Sequence, residues 1–257
     1  MSDRPDLGSL HRIAQDVAAE WGVEVGPPFA LSRYSFVAPA GSDAVLKATP
    51  PEDDESDEEA DALALWGGDG AVRLLRRDRP RRVLLIERAR PGTDIAGLPD
   101  DEATAIAVAV GRRLWRPAGE PFRWIGDHVP RWLDAVEPAS AASRLLPLAR
   151  RLYAELDVGR STLVHGDLHH HNILDAGPGR GHLAIDAKAM LGEPEFDVPS
   201  FLWNPLPYRM RLGETERRLA AFAAAGLDEG RMRAWAVIRG AYLGADADEV
   251  EVLRALV

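Results

Sequence analysis

The 257-residue sequence contains no cysteine. Disulfides and thiolate metal sites are therefore excluded, and a cytoplasmic location is the default expectation. No apolar run approaches the ~20 residues that span a bilayer. The opening segment, MSDRPDLGSL, has neither the basic start nor the apolar stretch of a secretory signal, so no membrane partner is expected. Positive charge is short too: 31 Lys+Arg stand against 41 Asp+Glu, a formal net charge of -10. That balance argues against a nucleic-acid partner and suits a cationic small molecule. Lysine is scarcest of the charged types, with Lys47 and Lys188 alone among the 31 basic residues. In a chain that otherwise uses arginine, a retained lysine suggests a place where a compact ammonium is needed rather than a planar guanidinium.

The pattern that is present divides the chain into two parts. Residues 6–22 carry Leu7, Leu10, Ile13, Val17 and Trp21 at helical spacing, which predicts an amphipathic helix. Short β-type runs around a Pro-Gly turn at 39–43 predict a hairpin whose second strand is 44–48. The acidic run after Pro50 and Pro51 suits a helix start, and the apolar positions Ala60, Leu63 and Leu65 continue the helix. AVRLL and RRVLLIER read as two more strands. PGTDIAGLPDD is rich in turn formers and marks a boundary. Beyond it, 101–116, 140–157 and 214–257 have helical patterns, the last with a break at 226–230. The expected fold class is α+β: a small β-rich lobe with one helix over 1–90, then a larger, mainly helical lobe over 91–257.

The unusual chemistry is concentrated in residues 163–174, LVHGDLHHHNIL, which hold four of the seven histidines. Three are adjacent, whereas metal-binding histidines are usually spaced, as in H-E-x-x-H. A histidine-based metallohydrolase is therefore the weakest reading. Asp167 and Asn172 instead give D-L-x-x-x-N, the pattern of a kinase catalytic loop, in which the Asp stands beside the incoming hydroxyl and the Asn holds magnesium. Asp186, in LAIDAK after a turn and a short β run, is placed as a second metal-binding aspartate; carboxylate and amide oxygens suit Mg2+. Lys47 ends the strand A-V-L-K, and Glu59 follows on the next helix, so a lysine–glutamate pair would fix a phosphate-holding ammonium.

Together these segments resemble the aminoglycoside phosphotransferase family, within the protein-kinase-like two-lobe fold. The phrases VHGDLHHHNIL, AIDAK and GEPEFD are most similar to the streptomycin and hydroxyurea phosphotransferase branch, supported by GAVRLL, LLIERARPG and FDVPSFLWNP. The resemblance runs in order over roughly residues 30–205. It implies ATP and Mg2+, with Asp167 as catalytic aspartate and Asn172 and Asp186 on the metal. Lys47 and Glu59 would place the nucleotide phosphates, and the backbone of Glu87 to Ala89 would meet the adenine. Lys188, by its place two residues past Asp186, could reach the transferring phosphate or the substrate, or could equally be a surface lysine. Glu193, Glu195 and Asp197 are candidates for a cationic substrate, although for Asp197 a structural role, hydrogen-bonding the loop backbone, is favoured. His165 would be packed within the loop. Trp203, Tyr208 and Trp235 are candidates for a substrate wall or, more simply, for core.

The chain departs from the kinase pattern in two places: LSRYSFV replaces a glycine-rich phosphate loop, and D-A-K replaces D-F-G. Trp115 stands where relatives often carry histidine and is expected to pack. The implied acceptor is an aminoglycoside of streptomycin type, with hydroxyurea or another small metabolite as the alternative. A further alternative is a kinase-like protein that binds nucleotide without turnover. A monomer is the expected state.

Overall fold

The computed structural model describes residues 7–30, 34–53, 57–205 and 210–257. The chain forms two compact units: Met1–Thr93 with Leu174–Lys188, and Asp94–Ile173 with Ala189–Val257.

The first unit is built on an antiparallel sheet. Helix α1 (Leu7–Trp21) precedes strands β1 (Phe36–Ala40) and β2 (Ala44–Ala48), followed by helix α2 (Glu59–Trp66) and strands β3 (Leu74–Asp78) and β4 (Val83–Glu87). The sheet order is β1-β2-β4-β3. Strand alternation decides what each face does. Phe36, Ala38, Leu46, Ala48, Val83 and Leu85 face α1, whose Leu10, Ala14, Val17 and Ala18 close the core. Lys47, paired across the sheet with Val37 and Leu84, therefore projects from the opposite face.

One local expectation shifts, and the phase of α2 is settled. In α2 the buried residues are Glu59, Ala62, Leu63 and Trp66. Leu65 is 38% exposed, because it falls off that stripe at about 3.6 residues per turn. Strand β3 begins at Leu74 rather than Ala71, because Ala71 forms a parallel bridge to Ala184 and the Val72 N–H donates to the Ala184 carbonyl. That carbonyl lies in a two-stranded ladder of β7 (Ile173–Asp175) and β8 (His182–Ala184), numbered by chain position.

In the second unit, α3 (Asp100–Leu114) leads to β5 (Arg116–Pro117), α4 (Val129–Asp134) and α5 (Leu146–Glu155). Strand β6 (Thr162–Val164) lies between β5 and β9 (Met190–Gly192) in a small antiparallel sheet. The helices α6 (Val198–Leu202), α7 (Leu212–Ala224), α8 (Glu229–Leu243) and α9 (Ala247–Ala255) complete it. The short α4 and the three-strand sheet are too brief to show a sequence period. Helix α8 is buried continuously from Ala234 to Ala241, the mark of a central helix. It stops at Gly244, whose φ of 86° suits glycine, and Asp246 with Glu249 forms the capping box that starts α9. Among the described residues, no helix is long and apolar enough to cross a membrane.

Leu46→Ala should cost about 2–5 kcal/mol in urea unfolding, because it opens the β2–α1 core. Leu65→Ala should stay within about 0.5 kcal/mol of the parent, as for an exposed helix position. Equal losses at the two sites would contradict this division of faces.

Candidate active site

In the first unit the organising group is Lys47. It is 5% exposed and Glu59 is 1% exposed. The Lys47 ammonium donates to Glu59 Oε2 at 2.6 Å and to Asp186 Oδ1 at 2.5 Å. A buried ammonium is costly unless paired and hydrogen-bonded. Burial alone would lower its pKa; Glu59 and Asp186 outweigh that and hold it above the usual lysine value, so the charge is permanent. Asp186 has a φ of 59°, left-handed backbone that aspartate tolerates better than most residues. Its side chain remains 43% exposed while one oxygen binds Lys47. Backbone strain of this kind concentrates at functional sites.

Lys188 follows two residues later. Its ammonium lies 3.4 Å from Asp53 Oδ2 and its charge acts on Glu59. Both lysines of the chain therefore belong to one charged cluster. Glu87 ends β4 with its carboxylate held by Arg180 at 3.0 and 2.8 Å and by the Arg73 N–H at 3.0 Å. Partial burial works against ionisation, but these partners keep Glu87 below the ordinary glutamate range. The N–H groups of Glu87 and Arg88 donate to the carbonyls of Arg73 and Asp43. Ala89 is buried just beyond them. Ser32 and Arg33, in the segment that replaces a glycine-rich loop, lie outside the described residues, as does Leu31.

In the second unit, β6 runs into the histidine-rich loop, and a single buried carboxylate sets its start. Asp197 accepts from the His165 N–H at 2.9 Å, the Gly166 N–H at 2.7 Å and the Trp115 indole at 2.8 Å. Arg239, buried on α8, donates to the carbonyls of Gly166 and Phe196 and to Ser200. The Asp167 N–H meets His165 Nδ1 at 3.3 Å, and Asn172 Nδ2 donates to the Asp167 carbonyl at 3.0 Å. The Asp167 side chain is thus presented from a braced backbone and is itself 35% exposed. Burial works against its charge, but His169, Arg239 and His165 hold it below the ordinary aspartate range, so it is ionised at neutral pH.

The three adjacent histidines go to three different partners. His169 Nε2 lies 3.5 Å from Asp167 Oδ2. His170 is 2% exposed and stacks on Phe201 at 4.0 Å. His171 Nδ1 meets Asp94 Oδ2 at 2.8 Å. They do not converge, and among the described residues no group of three His, Cys, Asp or Glu side chains is placed to hold a metal.

The expectation that Glu193 and Glu195 face a substrate is corrected, while Asp197 takes the structural role on the loop backbone that the sequence favours over a substrate contact. All three are buried. Glu193 pairs with Arg231 and accepts from the Trp235 indole, while Glu195 accepts the Asp228 N–H. A buried carboxylate needs such donors, and here they come from within the same unit. Trp235 is core, Trp203 is half-buried, and Tyr208 lies outside the described residues. Three contributors went unassigned in the sequence reading. Arg239 had a signal: a lone charge in the apolar run AWAVIRGAY. Trp115 was expected only to pack, yet its indole N–H has a polar partner, as buried tryptophan usually requires. His169 had no signal separating it from its two neighbours.

His170 gives a pH dependence with a definite sign. Burial, with Arg218 close by, pushes its pKa down to about 3. The unfolded chain binds this proton below about pH 6.5 while the folded chain does not. Stability is present above that pH and is lost as pH falls, by about 1.4 kcal/mol per unit at most. His170→Phe should keep the stack on Phe201 and flatten the slope of urea stability between about pH 4 and 6. An unchanged slope would show that other groups carry it.

With this geometry in place, the known relatives can be compared. Residues 30–251 match the family model for the aminoglycoside/hydroxyurea antibiotic resistance kinase. A hydroxyurea phosphotransferase from Kitasatospora aureofaciens is 34% identical over 235 residues, covering 85% of this chain and 67% of the relative. A streptomycin 6-kinase from Streptomyces glaucescens is 29% identical over 249 residues, covering 89% and 80%. Among solved structures, the choline kinase LicA from Streptococcus pneumoniae superposes with a TM-score of 0.65 at 13% identity, covering 96% of this chain and 99% of that one. Aminoglycoside phosphotransferase APH(4)-Ia in its ternary complex with ADP and hygromycin B gives 0.61 at 19%, covering 95% and 97%. These structural likenesses establish the protein-kinase-like fold, a small sheet-based unit and a larger helical one. The match over most of its length makes this chain a member of the aminoglycoside/hydroxyurea antibiotic resistance kinase family, and an enzyme of the phosphotransferase class.

Proposed function

We propose that the protein transfers the γ-phosphate of ATP, with Mg2+, to a hydroxyl of a small molecule, and that this acceptor is an aminoglycoside of streptomycin type. The observation that carries the reading is Asp167: an ionised, part-exposed carboxylate on a backbone braced from both sides. Its role is to orient the acceptor hydroxyl and receive its proton, since phosphoryl transfer depends on alignment and charge neutralisation more than on covalent chemistry. Lys47, held by Glu59, grips the nucleotide phosphates. Lys188 neutralises charge on the phosphate in transfer, and the Ala89 backbone meets the adenine. In this reading the first unit is the nucleotide-binding lobe and the second the catalytic and substrate-binding lobe, in a monomeric cytoplasmic enzyme.

In this reading Asn172 and Asp186 would hold the Mg2+, each through an oxygen of the kind that the ion takes. Asn172 Nδ2 is engaged by the Asp167 carbonyl, which leaves Oδ1 as the side-chain oxygen for a cation. Asp186 offers a half-exposed carboxylate. Mg2+ prefers such hard oxygens and completes its shell with water and substrate phosphates. When bound, the ion supplies charge neutralisation at the β- and γ-phosphates. The streptomycin kinase among the relatives and the acidic balance of the chain support the cationic acceptor. The hydroxyurea phosphotransferase, at 34% identity, supports hydroxyurea as the second reading.

Incubation with ATP, Mg2+ and either streptomycin or hydroxyurea should add the mass of one phosphoryl group to one of them. Asp167→Asn should lower kcat by about 10²–10⁴-fold with little change in melting temperature, as for loss of a positioned proton acceptor. Full activity in that variant would remove the assigned role. Lys47→Arg should lower kcat/KM for ATP by roughly tenfold or more, because a planar fork does not replace a point charge held by two carboxylates. Unchanged nucleotide kinetics would contradict the placement.

A further inference from the structure

We propose that His169 is a positioning residue for Asp167: its Nε2–H holds one oxygen of the Asp167 carboxylate and leaves the other for the acceptor hydroxyl. The inference rests on the role given to Asp167 above and concerns how that carboxylate is aimed.

The backbone chooses the histidine tautomer. His169 sits at the N-terminal cap of the short turn His170–Asn172, and its Nδ1 accepts the N–H of His171 at 3.2 Å. A ring nitrogen that accepts a hydrogen bond carries no proton, so the neutral imidazole has its hydrogen on Nε2. That nitrogen is the one facing Asp167 Oδ2, at 3.5 Å. The cap therefore turns His169 into a donor aimed at the carboxylate. The separation is at the outer limit of a hydrogen bond, and catalytic contacts of this kind shorten once the reacting complex is assembled.

The rest of the loop leaves this as the degree of freedom to be fixed. The Asp167 peptide is held on both sides, by His165 Nδ1 at its N–H and by Asn172 Nδ2 at its carbonyl. What remains is rotation of the carboxylate about its own side-chain bonds. His169 is itself anchored: its ring lies edge-on to His171 at 5.9 Å, and His171 is pinned by Asp94. The chain Asp94, His171, His169, Asp167 therefore lies wholly within the second unit, and it accounts for two of the three adjacent histidines. His170, stacked on Phe201, anchors the turn between them.

In the reaction, the acceptor O–H bond breaks as its oxygen bonds to the γ-phosphorus, and the bond from that phosphorus to the β-bridging oxygen breaks to release ADP. The proton passes to Asp167 Oδ1. His169 neither gains nor loses a proton; it keeps Oδ2 occupied so that Oδ1 is presented. Misplacement of a reacting group by about 1 Å costs on the order of 100-fold in rate.

The test separates capping from aiming. His169→Asn keeps an oxygen that can cap the His171 N–H, since Asn is among the best capping residues, but it is too short to reach Asp167. We expect kcat to fall by about 10- to 100-fold, the range seen when a supporting residue is removed. KM for ATP and for the acceptor should move less than about threefold, with an unchanged melting temperature. His169→Gln, which carries an N–H close to the Nε2 position, should recover part of kcat. Nitrogen NMR of the ¹⁵N-histidine-labelled protein should show His169 as the Nε2–H tautomer, with its resonance moved by Asp167→Asn. An unchanged kcat in His169→Asn, in an enzyme that Asp167→Asn inactivates, overturns the inference and leaves the kinase reading intact. If Asp167→Asn is itself fully active, the role given to Asp167 fails, and this inference falls with it. An Nδ1–H tautomer, or a His169 resonance indifferent to Asp167→Asn, overturns it.

Discussion

The first unit depends on one ammonium that cannot be buried alone. Strand alternation forces Lys47 out of the α1-facing core and onto the other face of β2, where it is almost wholly removed from water. At that position a lone charge would cost several kcal/mol. Two carboxylates from distant parts of the chain, Glu59 and Asp186, remove that cost. Their convergence explains why α2 begins at a buried glutamate and why residues 174–188 join this unit although the sequence between belongs to the other. It also explains the choice of lysine in an arginine-rich chain. An ammonium can donate to two separate oxygens in different directions, whereas a guanidinium presents a planar fork. The cluster joins one ammonium to two carboxylates, and of the two only Asp186 keeps its side chain half-exposed to water.

The second unit solves a related problem with the backbone in place of a side chain. The turn after β6 exposes N–H and carbonyl groups that belong to no ladder, in a place where water is largely excluded. Buried backbone groups of this kind must find partners. Asp197 takes the donors of His165 and Gly166, and Arg239 takes the Gly166 acceptor. Opposite charges are thus used on opposite sides of one glycine, each on the group that it can satisfy. This arrangement explains why the acidic residues after the loop turn inward. A carboxylate already holding three donors has little left to offer a cationic ligand.

Much of this is legible in the sequence alone, and the division follows physical range. Strand 44–48, the α1 stripe and the order Lys47, Glu59, Asp167, Asn172 and Asp186 are local patterns written in spacing and composition. The phase of α2 is not written in its letters, because adjacent apolar residues in a short helix leave it undetermined until something packs against it, and Leu65 ends up exposed. The start of β3 moved because Ala71 found a partner more than a hundred residues away, which no local period records. Strands β5, β6 and β9, of two or three residues each, are too short to have a period at all. The inward turn of Glu193 and Glu195 depends on Arg231, Trp235 and the Asp228 N–H. Those partners are distant in sequence, so acidity alone could not tell a ligand-facing carboxylate from a structural one.

The histidine run shows the same limit from the other side. Three identical neighbours are indistinguishable as letters, yet a tight turn sends successive side chains in different directions. One meets an ionised aspartate, one is buried against an aromatic ring, and one pairs with a carboxylate from the segment before α3. Identity therefore confers no shared role. Burial keeps His170 neutral, while the cap on the His171 N–H fixes where the hydrogen of His169 must lie. At His170 a residue type chosen for its ability to change charge is used in a fixed state. The constraint is geometric: imidazole offers one donor and one acceptor on opposite edges of a rigid ring, which lets a single side chain hold its own turn with one edge and address the neighbouring carboxylate with the other.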